Sequence, residues 1–426
     1  MTIATEEDLI ALQSRGFDAV YPHQSPWDIL RASAAARPHA EAIRYLPDGS
    51  DTARWDSVTY ASLRDRVGAA GAVFRDLGVG PGDSVGLLVA NTIWGQVALW
   101  GAQLAGAACP VNPMLRADHI AALLRLARAK VVVVMGVNPE LDWWSTLVPA
   151  LRDALREQGL DLPIIACDAA SPSPGADGDL EALVGDRLGQ TLTPAGGPEA
   201  TAGWYHTGGT TGRPKLVRHS RLNQAFVARS CELVHDLSAR DVVINGFPLF
   251  HVAGAFVYGL SAFSAGATTV IPGRLGYRNR AFTESIWQQV ERHQVSVLAA
   301  VPTMMAAWLA VPVDARIGSV RVMLTGGSPL PTELAQRFEQ TLGVPVRNIL
   351  GMTECAGAVS LEPVHGPRIA QSCGLRLPFT EVRAVDPEDT GRGLAAGQTG
   401  IVALRGPNVS SGYSDPSRNP GTFEDG

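Results

Sequence analysis

Apolar residues recur at intervals of three and four from Leu63 through Val67, Ala70, Phe74 and Leu77, and Gly78 follows. That period predicts an amphipathic helix opening near Thr59 and closed by Gly78. Past the turn GVGPGD the pattern changes. SVGLLVA, AACPV, KVVVVM and LPIIAC are short, nearly continuous apolar runs, with helical stretches such as TIWGQVALWGAQLAG and ADHIAALLRLARA between them. The same alternation returns later, with DVVINGF, ATTVIP, VSVLAAV, VRVMLTGG and VPVRNILG predicted as strands. AFTESIWQQVERH and PTELAQRFEQTLG are predicted as helices in that half. Strands apolar on both faces that alternate with helices imply βαβ units and parallel sheets, an α/β fold class. Residues 168–200, rich in Pro, Gly and Ala, predict a loose surface connection with one short helix. From Gln371 the chain becomes turn-rich with strand-like alternation, which predicts a small β unit. The expected division is therefore residues 1–200, a first α/β subdomain; 201–370, a second; and 371–426, a small β subdomain.

Composition narrows the class without naming it. The 426 residues are 46% apolar and 18% charged, a globular balance, and the length suits more than one packed unit. A net charge of −6 with no basic run argues against nucleic acid as the partner. Cys109, Cys167, Cys231, Cys355 and Cys373 are scattered, odd in number and without metal-like spacing, which favours reduced thiols in a cytoplasm. The stretches 84–115 and 242–273 are long and nearly uncharged, but strand-to-helix breaks interrupt both, so no transmembrane segment is expected. The opening MTIATEEDLIALQSRG is acidic and is not a signal peptide. Of 35 basic residues only Lys130 and Lys215 are lysine. A chain that writes arginine almost everywhere keeps a compact ammonium at Lys215.

That lysine ends the most unusual segment, WYHTGGTTGRPKLVRHS. Within it, Thr207, Gly208, Gly209, Thr210, Thr211 and Gly212 offer backbone N–H groups in a glycine-permitted bend together with hydroxyl donors. Such a bend is a concave site for an anion. Pro214 and Leu216 flank Lys215 where a Walker A loop needs Gly and Ser or Thr, so this is another kind of phosphate loop.

With FPLFHVAGAF, AVPTMM, LTGGSPLP, NILGMTE, SCGLRLP and GQTGIVALRGPNVSSGY following in order, nearly the whole chain resembles the adenylate-forming superfamily. That superfamily includes acyl-CoA synthetases, peptide-synthetase adenylation domains and beetle luciferases. The resemblance implies two packed, mostly parallel sheets with flanking helices in a five-layer αβαβα arrangement. It implies ATP and Mg²⁺ as cofactors, coenzyme A as co-substrate and a small-molecule carboxylic acid as substrate, and leaves a homodimer open. A carboxylate would attack the ATP α-phosphate, pyrophosphate would leave, and a thiol would take the acyl group. By position in the motifs, residues 207–212 and Lys215 would hold the β- and γ-phosphates, with Lys215 assisting catalysis. Thr353 would lie near the α-phosphate, and Glu354 would hold Mg²⁺, for which a hard oxygen ligand is suited. Gly326, Gly327 and Ser328 would line the adenine slot, Asn348 would meet the adenine amino edge, and Leu350, Gly351 and Met352 would complete the nucleotide contacts.

His251 matches a residue that gates the acyl tunnel and orients the carboxylate. Val252, Gly254, Gly327, Met352, Ala356 and Gly357 match the acyl pocket, and all are apolar or small. No aspartate stands where adenylation domains hold an α-amine, and no cation where a second carboxylate would need one. The expected acid is therefore a medium- or long-chain fatty acid. Arg274, Arg278 and Arg280 are read as a solvated face, with CoA phosphates as the alternative. The last residues, GTFEDG, stop before the superfamily's Trp-x-x-Thr-Gly-Asp segment and its mobile C-terminal domain, so a truncated, poorly active N-terminal portion is expected. An acyl-AMP ligase that loads a carrier protein and a non-catalytic nucleotide- or acyl-binding module stay open as alternatives. Holo-carrier as acceptor, and pyrophosphate exchange by the full-length parent, separate them.

Leu350 stands where the superfamily usually has an aromatic residue. Stacking a base on an aromatic ring contributes roughly 1–3 kcal/mol, of which leucine recovers part, so Leu350→Tyr is expected to tighten ATP binding about 3–10-fold by calorimetry. Unchanged affinity would remove Leu350 from the base-binding surface.

Overall fold

Alternate residues of one strand enter different cores. Val131 and Val133 bury with Val85 and Ile165 against Leu63, Val67 and Val97, whereas Val132 and Val134 bury with Ile120, Leu124, Leu151 and Leu155. The same split occurs later: Val322 and Leu324 face the first core, Met323 faces Trp287, Trp308 and Phe338. Because successive side chains on a strand point to opposite faces, an unbroken apolar run marks a sheet covered on both sides. This is why the valine-rich segments carry no polar alternation.

The computed structural model describes residues 2–207 and 215–424. Two large sheets dominate it. The seven-stranded sheet runs, edge to edge, Gly178–Asp179, Ile164–Cys167, Ala129–Met135, Ser84–Leu88, Ala107–Pro110, Thr201–His206 and Leu216–Ser220, all parallel except the last. The nine-stranded sheet has a parallel centre, Glu41–Tyr45, Thr268–Ile271, Val242–Ile244, Val297–Ala300, Val322–Gly326 and Val346–Leu350, with antiparallel strands at its ends. Helices Pro26–Ala36, Tyr60–Asp76, Ile93–Ala105 and Arg221–Val234 share one buried cluster with the inner faces of both sheets. Helices Ala117–Leu126 and Trp143–Glu157 cover one outer face, and Ile286–His293, Pro302–Leu309 and Thr332–Leu342 the other. A three-stranded antiparallel sheet, Asp389–Gly393, Glu381–Asp386 and Ile401–Arg405, follows.

The helix predicted from Thr59 is Tyr60–Asp76, and the Thr59 hydroxyl caps it by accepting from Ser62 N–H at 3.2 Å. Three expectations need correction. Residues 168–200 hold the expected short helix, Leu180–Gly185 on an Asp179 cap, but they are not simply a loose connection, because Gly178–Asp179 adds a parallel edge strand. AFTESIWQQVERH is two helices, Arg280–Glu284 and Ile286–His293, broken where Ser285 turns to bond the Gly49 carbonyl. The sheets also divide the chain differently from a cut at residue 200. Glu41–Tyr45 belongs with the later strands and Thr201–His206 with the earlier ones. The apolar stretch 242–273 resolves into a strand, a π-helix over Ala253–Leu260, a short helix and a second strand. No described helix is long and apolar enough to cross a membrane.

Two central helices cross closely enough to require glycine. A Cβ on Gly101 would lie 2.6 Å from Ala70 Cβ and 3.2 Å from the Ala70 carbonyl carbon. Overpacking of this kind costs about 1–3 kcal/mol. Gly101→Val is expected to lower the Tm in a thermal scan, while the same change at Gly159, whose ideal Cβ meets nothing within 4 Å, tests only its left-handed backbone.

Candidate active site

The stem of the predicted phosphate loop is a β-hairpin. Thr201–His206 and Leu216–Ser220 pair antiparallel, and Thr207 N–H reaches the Lys215 carbonyl at 3.4 Å, so both ends of the loop stand side by side. The expected phosphate contacts of Gly208, Gly209, Thr210, Thr211 and Gly212 lie outside the described residues. Residues 410–414 lie along the outer side of that hairpin. Arg218 N–H donates to the Gly412 carbonyl at 3.0 Å and Ser414 N–H to the Leu216 carbonyl at 2.8 Å. Ser410 N–H continues to the Glu354 carbonyl at 2.8 Å. This zip carries Tyr413 between two predicted site residues. The Tyr413 hydroxyl donates to Glu354 Oε1 at 2.7 Å, and Lys215 Nζ sits 3.5 Å from the centre of its ring. Lys215 and Glu354 therefore share one surface.

Glu354 projects from a tight turn. Thr353–Cys355 forms one 3-10 turn after strand Val346–Leu350, and Ala356 and Gly357 follow in left-handed conformations. His219, on the hairpin, meets the Thr353 carbonyl through Nε2 at 2.7 Å. Burial lowers the His219 pKa to about 4, so the ring is neutral and Nε2–H donates.

Beside this turn, at the carboxyl ends of parallel strands where α/β sheets place their clefts, lies a cavity of about 450 Å³. Gly327, Ser328, Asn348, Leu350 and Gly351 line it, with Cys373 opposite. Gly326 itself is buried in its strand. Asn348 N–H donates to Glu362 Oε2 at 2.7 Å, and burial raises the pKa of that carboxyl. Asn348 Nδ2 points toward the Ser372 carbonyl at 3.5 Å.

A second cavity, of about 300 Å³, has walls of Trp143, Phe247, Phe250, Tyr277, Val301 and Met304. A wall residue of each stands close to the other: a Cβ on Gly327 of the first would lie 3.6 Å from Val301 Cγ1 of the second. His251 adjoins this cavity's Phe250. Its Nδ1 accepts from Ala253 N–H at 3.3 Å, which leaves Nε2 free to donate. The imidazole is exposed, yet the protein bulk around it lowers its pKa by desolvation, favouring the neutral ring.

Several of the predicted acyl-pocket residues are closely packed and do not line either of these two cavities. Met352 is 38% exposed, but Val252, Ala356 and Gly357 are buried, and Gly254 is buried against the Pro248 carbonyl. A Cβ on Gly357 would lie 2.9 Å from Val257 Cγ2 and 3.3 Å from Val252 Cβ. Neither cavity has Ala356 or Gly357 in its wall. The arginine expectation is corrected at Arg274 alone. Arg274 is held at 3.1 Å by both oxygens of Asp168 and at 3.6 Å by Glu140, while Arg280 pairs with Glu284 on the surface. Arg278 is exposed at the rim of the second cavity.

Sequence reasoning missed several residues. His206 accepts from Asn112 N–H and stacks on Phe250, so it joins the loop stem to the His251 segment. Asn91 holds the Asn245 and Phe247 carbonyls. Tyr413 lies in GPNVSSGY, a segment recognised without a role being given to its tyrosine. Its only signal in sequence was that motif, because its partners are 59 and 198 positions away.

The chain matches the family model described as AMP-binding enzyme over residues 30–414, and it belongs to that family. It is 28% identical over 425 residues to the marinolic acid–CoA ligase of Pseudoalteromonas sp. (strain SANK 73390), covering 97% of this chain and 64% of that protein. It is 30% identical to the long-chain-fatty-acid–CoA ligase of Thermus thermophilus, covering 91% and 70% of the two chains. The crystal structure of an anthranilate CoA ligase in complex with anthranoyl-AMP superposes with a TM-score of 0.79 at 23% identity, covering 91% of this chain and 71% of that one. The chain thus spans less than two thirds of the length of the marinolic acid ligase.

The buried histidines of the stem make stability depend on pH. Burial depresses His206 to about 4, helped by His119 and His251, and His219 to about 4, from an ordinary 6.5. The unfolded chain binds more protons than the folded one between these values, so stability is full above about pH 6.5 and falls as pH drops toward 4. The Tm is expected to decline over that window, and His206→Gln to flatten the decline.

Proposed function

We propose that this chain carries the nucleotide- and acid-binding part of an AMP-forming acid–CoA ligase. The observation that supports it most directly is the shared placement of Lys215 and Glu354 on Tyr413, beside a cavity bounded by Gly327, Asn348 and Leu350. In this reading the adenine occupies the larger cavity and the polyphosphate runs toward the loop stem. The donor set fits Mg²⁺. Among the described residues no group of three or more acidic, histidine or cysteine side chains could hold a metal. Mg²⁺ commonly takes one or two carboxylates and completes its shell with phosphates and water. Glu354 would supply the carboxylate, and Mg²⁺, when bound, neutralises polyphosphate charge.

The chemistry asked of the protein is mainly positioning. A carboxylate oxygen of the acid attacks the α-phosphorus, and the bond to the pyrophosphate leaving group breaks. A thiolate of CoA then attacks the acyl carbonyl and AMP departs. His251 Nε2–H, its tautomer set by the Ala253 N–H, donates to the acid's oxygen and orients it. Thr353, anchored through its carbonyl by His219, presents its hydroxyl to the α-phosphate.

The substrate has two readings. The apolar walls of the second cavity, Trp143, Phe247, Phe250 and Met304, support a medium- or long-chain fatty acid or its thiol acceptor's slender arm. The closed contact of Gly357 with Val252 and Val257 favours instead a compact acid, because a long tail would have to part those side chains. Carboxylate-dependent ATP–pyrophosphate exchange over a panel of short, aryl and long-chain acids decides between them. Lys215→Ala and Glu354→Ala are expected to reduce exchange by about 10²-fold or more, the scale of losing a preorganised charge at a phosphoryl centre. ATP binding without acid-dependent exchange for any acid would favour a binding module.

A further inference from the structure

We infer that Tyr413 is a positioning residue that holds Lys215 and Glu354 apart, so that the cation and the anion remain available to a metal–polyphosphate ligand instead of pairing with each other. The inference rests on the proposed roles of Lys215 and Glu354, and adds to them a device neither motif contains.

An ammonium and a carboxylate on neighbouring elements attract, and an ion pair between them would close the site. Among the described residues Lys215 and Glu354 form no such pair. Each is occupied by a different part of one side chain. The ring face of Tyr413 holds the ammonium at 3.5 Å, a cation–π arrangement. Its hydroxyl holds Glu354 Oε1 at 2.7 Å and leaves the carboxylate's other oxygen free of any protein donor described. A hydrogen bond to a charged acceptor is directional, so it fixes the carboxylate's rotamer as well as its distance.

Tyr413 is itself fixed from several sides. Its backbone bridges Val217 on the hairpin, its N–H donates to Asn419 Oδ1 at 2.9 Å, and Phe423 meets its ring edge-on at 5.0 Å. Residue 413 is 6% exposed, so the spacer cannot swing away without breaking this packing.

The small number of lysines permits a direct test. Reductive methylation with ¹³C-formaldehyde retains the charge and labels only Lys130, Lys215 and the N-terminus. In the wild type, and in Tyr413→Phe, the Lys215 methyl resonance is expected upfield of that of Lys130, shifted by the ring below it. In Tyr413→Leu the upfield shift is lost and the ammonium pairs with Glu354. Adding Glu354→Gln therefore moves the resonance in the Tyr413→Leu background and leaves it in place in the wild-type background. A Lys215 resonance at the Lys130 position in the wild type, or one that Glu354→Gln moves equally in both backgrounds, overturns the spacer.

Calorimetry of ATP binding with and without Mg²⁺ supplies the functional arm. Tyr413→Phe is expected to keep metal-free affinity and lose about 10–100-fold of the Mg²⁺-dependent gain, the scale of one hydrogen bond to a charged group. Tyr413→Leu loses metal-free affinity as well, and the double variant with Glu354→Gln recovers it. An unchanged Mg²⁺-dependent gain in Tyr413→Phe counts against the spacer. If the wild-type chain shows no Mg²⁺-linked ATP binding, the ligase reading fails, while the resonance data still decide the spacer.

Discussion

The hydrogen-bonded seam between residues 410–414 and the hairpin strand Leu216–Ser220 is the constraint on which the candidate site depends. Three segments far apart in sequence have to meet there: the stem of the predicted phosphate loop, the turn carrying Thr353 and Glu354, and a stretch near residue 413. Backbone bonds from Arg218, Ser410 and Ser414 fix the last of these to the other two. The Ser410 hydroxyl, at 2.6 Å from the Arg218 carbonyl, and Asn223 Nδ2, donating to the Pro407 and Val409 carbonyls, repeat the tie with side chains. Cutting any one of these leaves the others in place, which is how a surface turn can hold a carboxylate to a defined rotamer.

Much of the fold was legible because it is written in local periodicity. Val131 to Val134 announce a doubly covered strand, and Leu63, Val67, Ala70 and Phe74 a helix. Sheet membership was not legible, because nothing local to Glu41–Tyr45 says that its parallel partner is Thr268–Ile271, more than two hundred residues later. The π-helix over Ala253–Leu260 was also hidden. Its apolar run is compatible with any buried helix, and what marks the site is a distant donor, Asn245 Nδ2 on the Gly254 carbonyl at 2.8 Å. The site followed the same rule. Glu354 and Lys215 could be named from motifs, whereas Tyr413, His206 and His219 act through partners that only the folded chain brings near.

The chain's preference for arginine has a structural use that sharpens the contrast at Lys215. Arg347 donates to the carbonyls of Val346, Pro363, Val364 and Gly366, and so ties the loop 363–366 to the strand Val346–Leu350. Arg321 joins the Asp241 carboxylate to the His235 and Asp236 carbonyls, and Arg376 ties Glu6 and Gln13 of the first helix to Leu377 and Thr380. These are tasks for a planar fork with five donors. Arg274, read from sequence as solvated, is the same kind of tie, joining the wall of the second cavity to Asp168 and Glu140.

An arginine in place of Lys215 would have brought that fork to the ring that also holds Glu354. A guanidinium can meet both oxygens of a carboxylate at once, and would compete with the phenol for Glu354. An ammonium is a point charge with no fixed plane, and it rests on the ring of Tyr413 without reaching the carboxylate beyond. The residue type at 215 and the ring at 413 are therefore parts of one arrangement. It keeps opposite charges near each other and unpaired, the condition a site must meet to receive a ligand that carries both a polyanion and its cation.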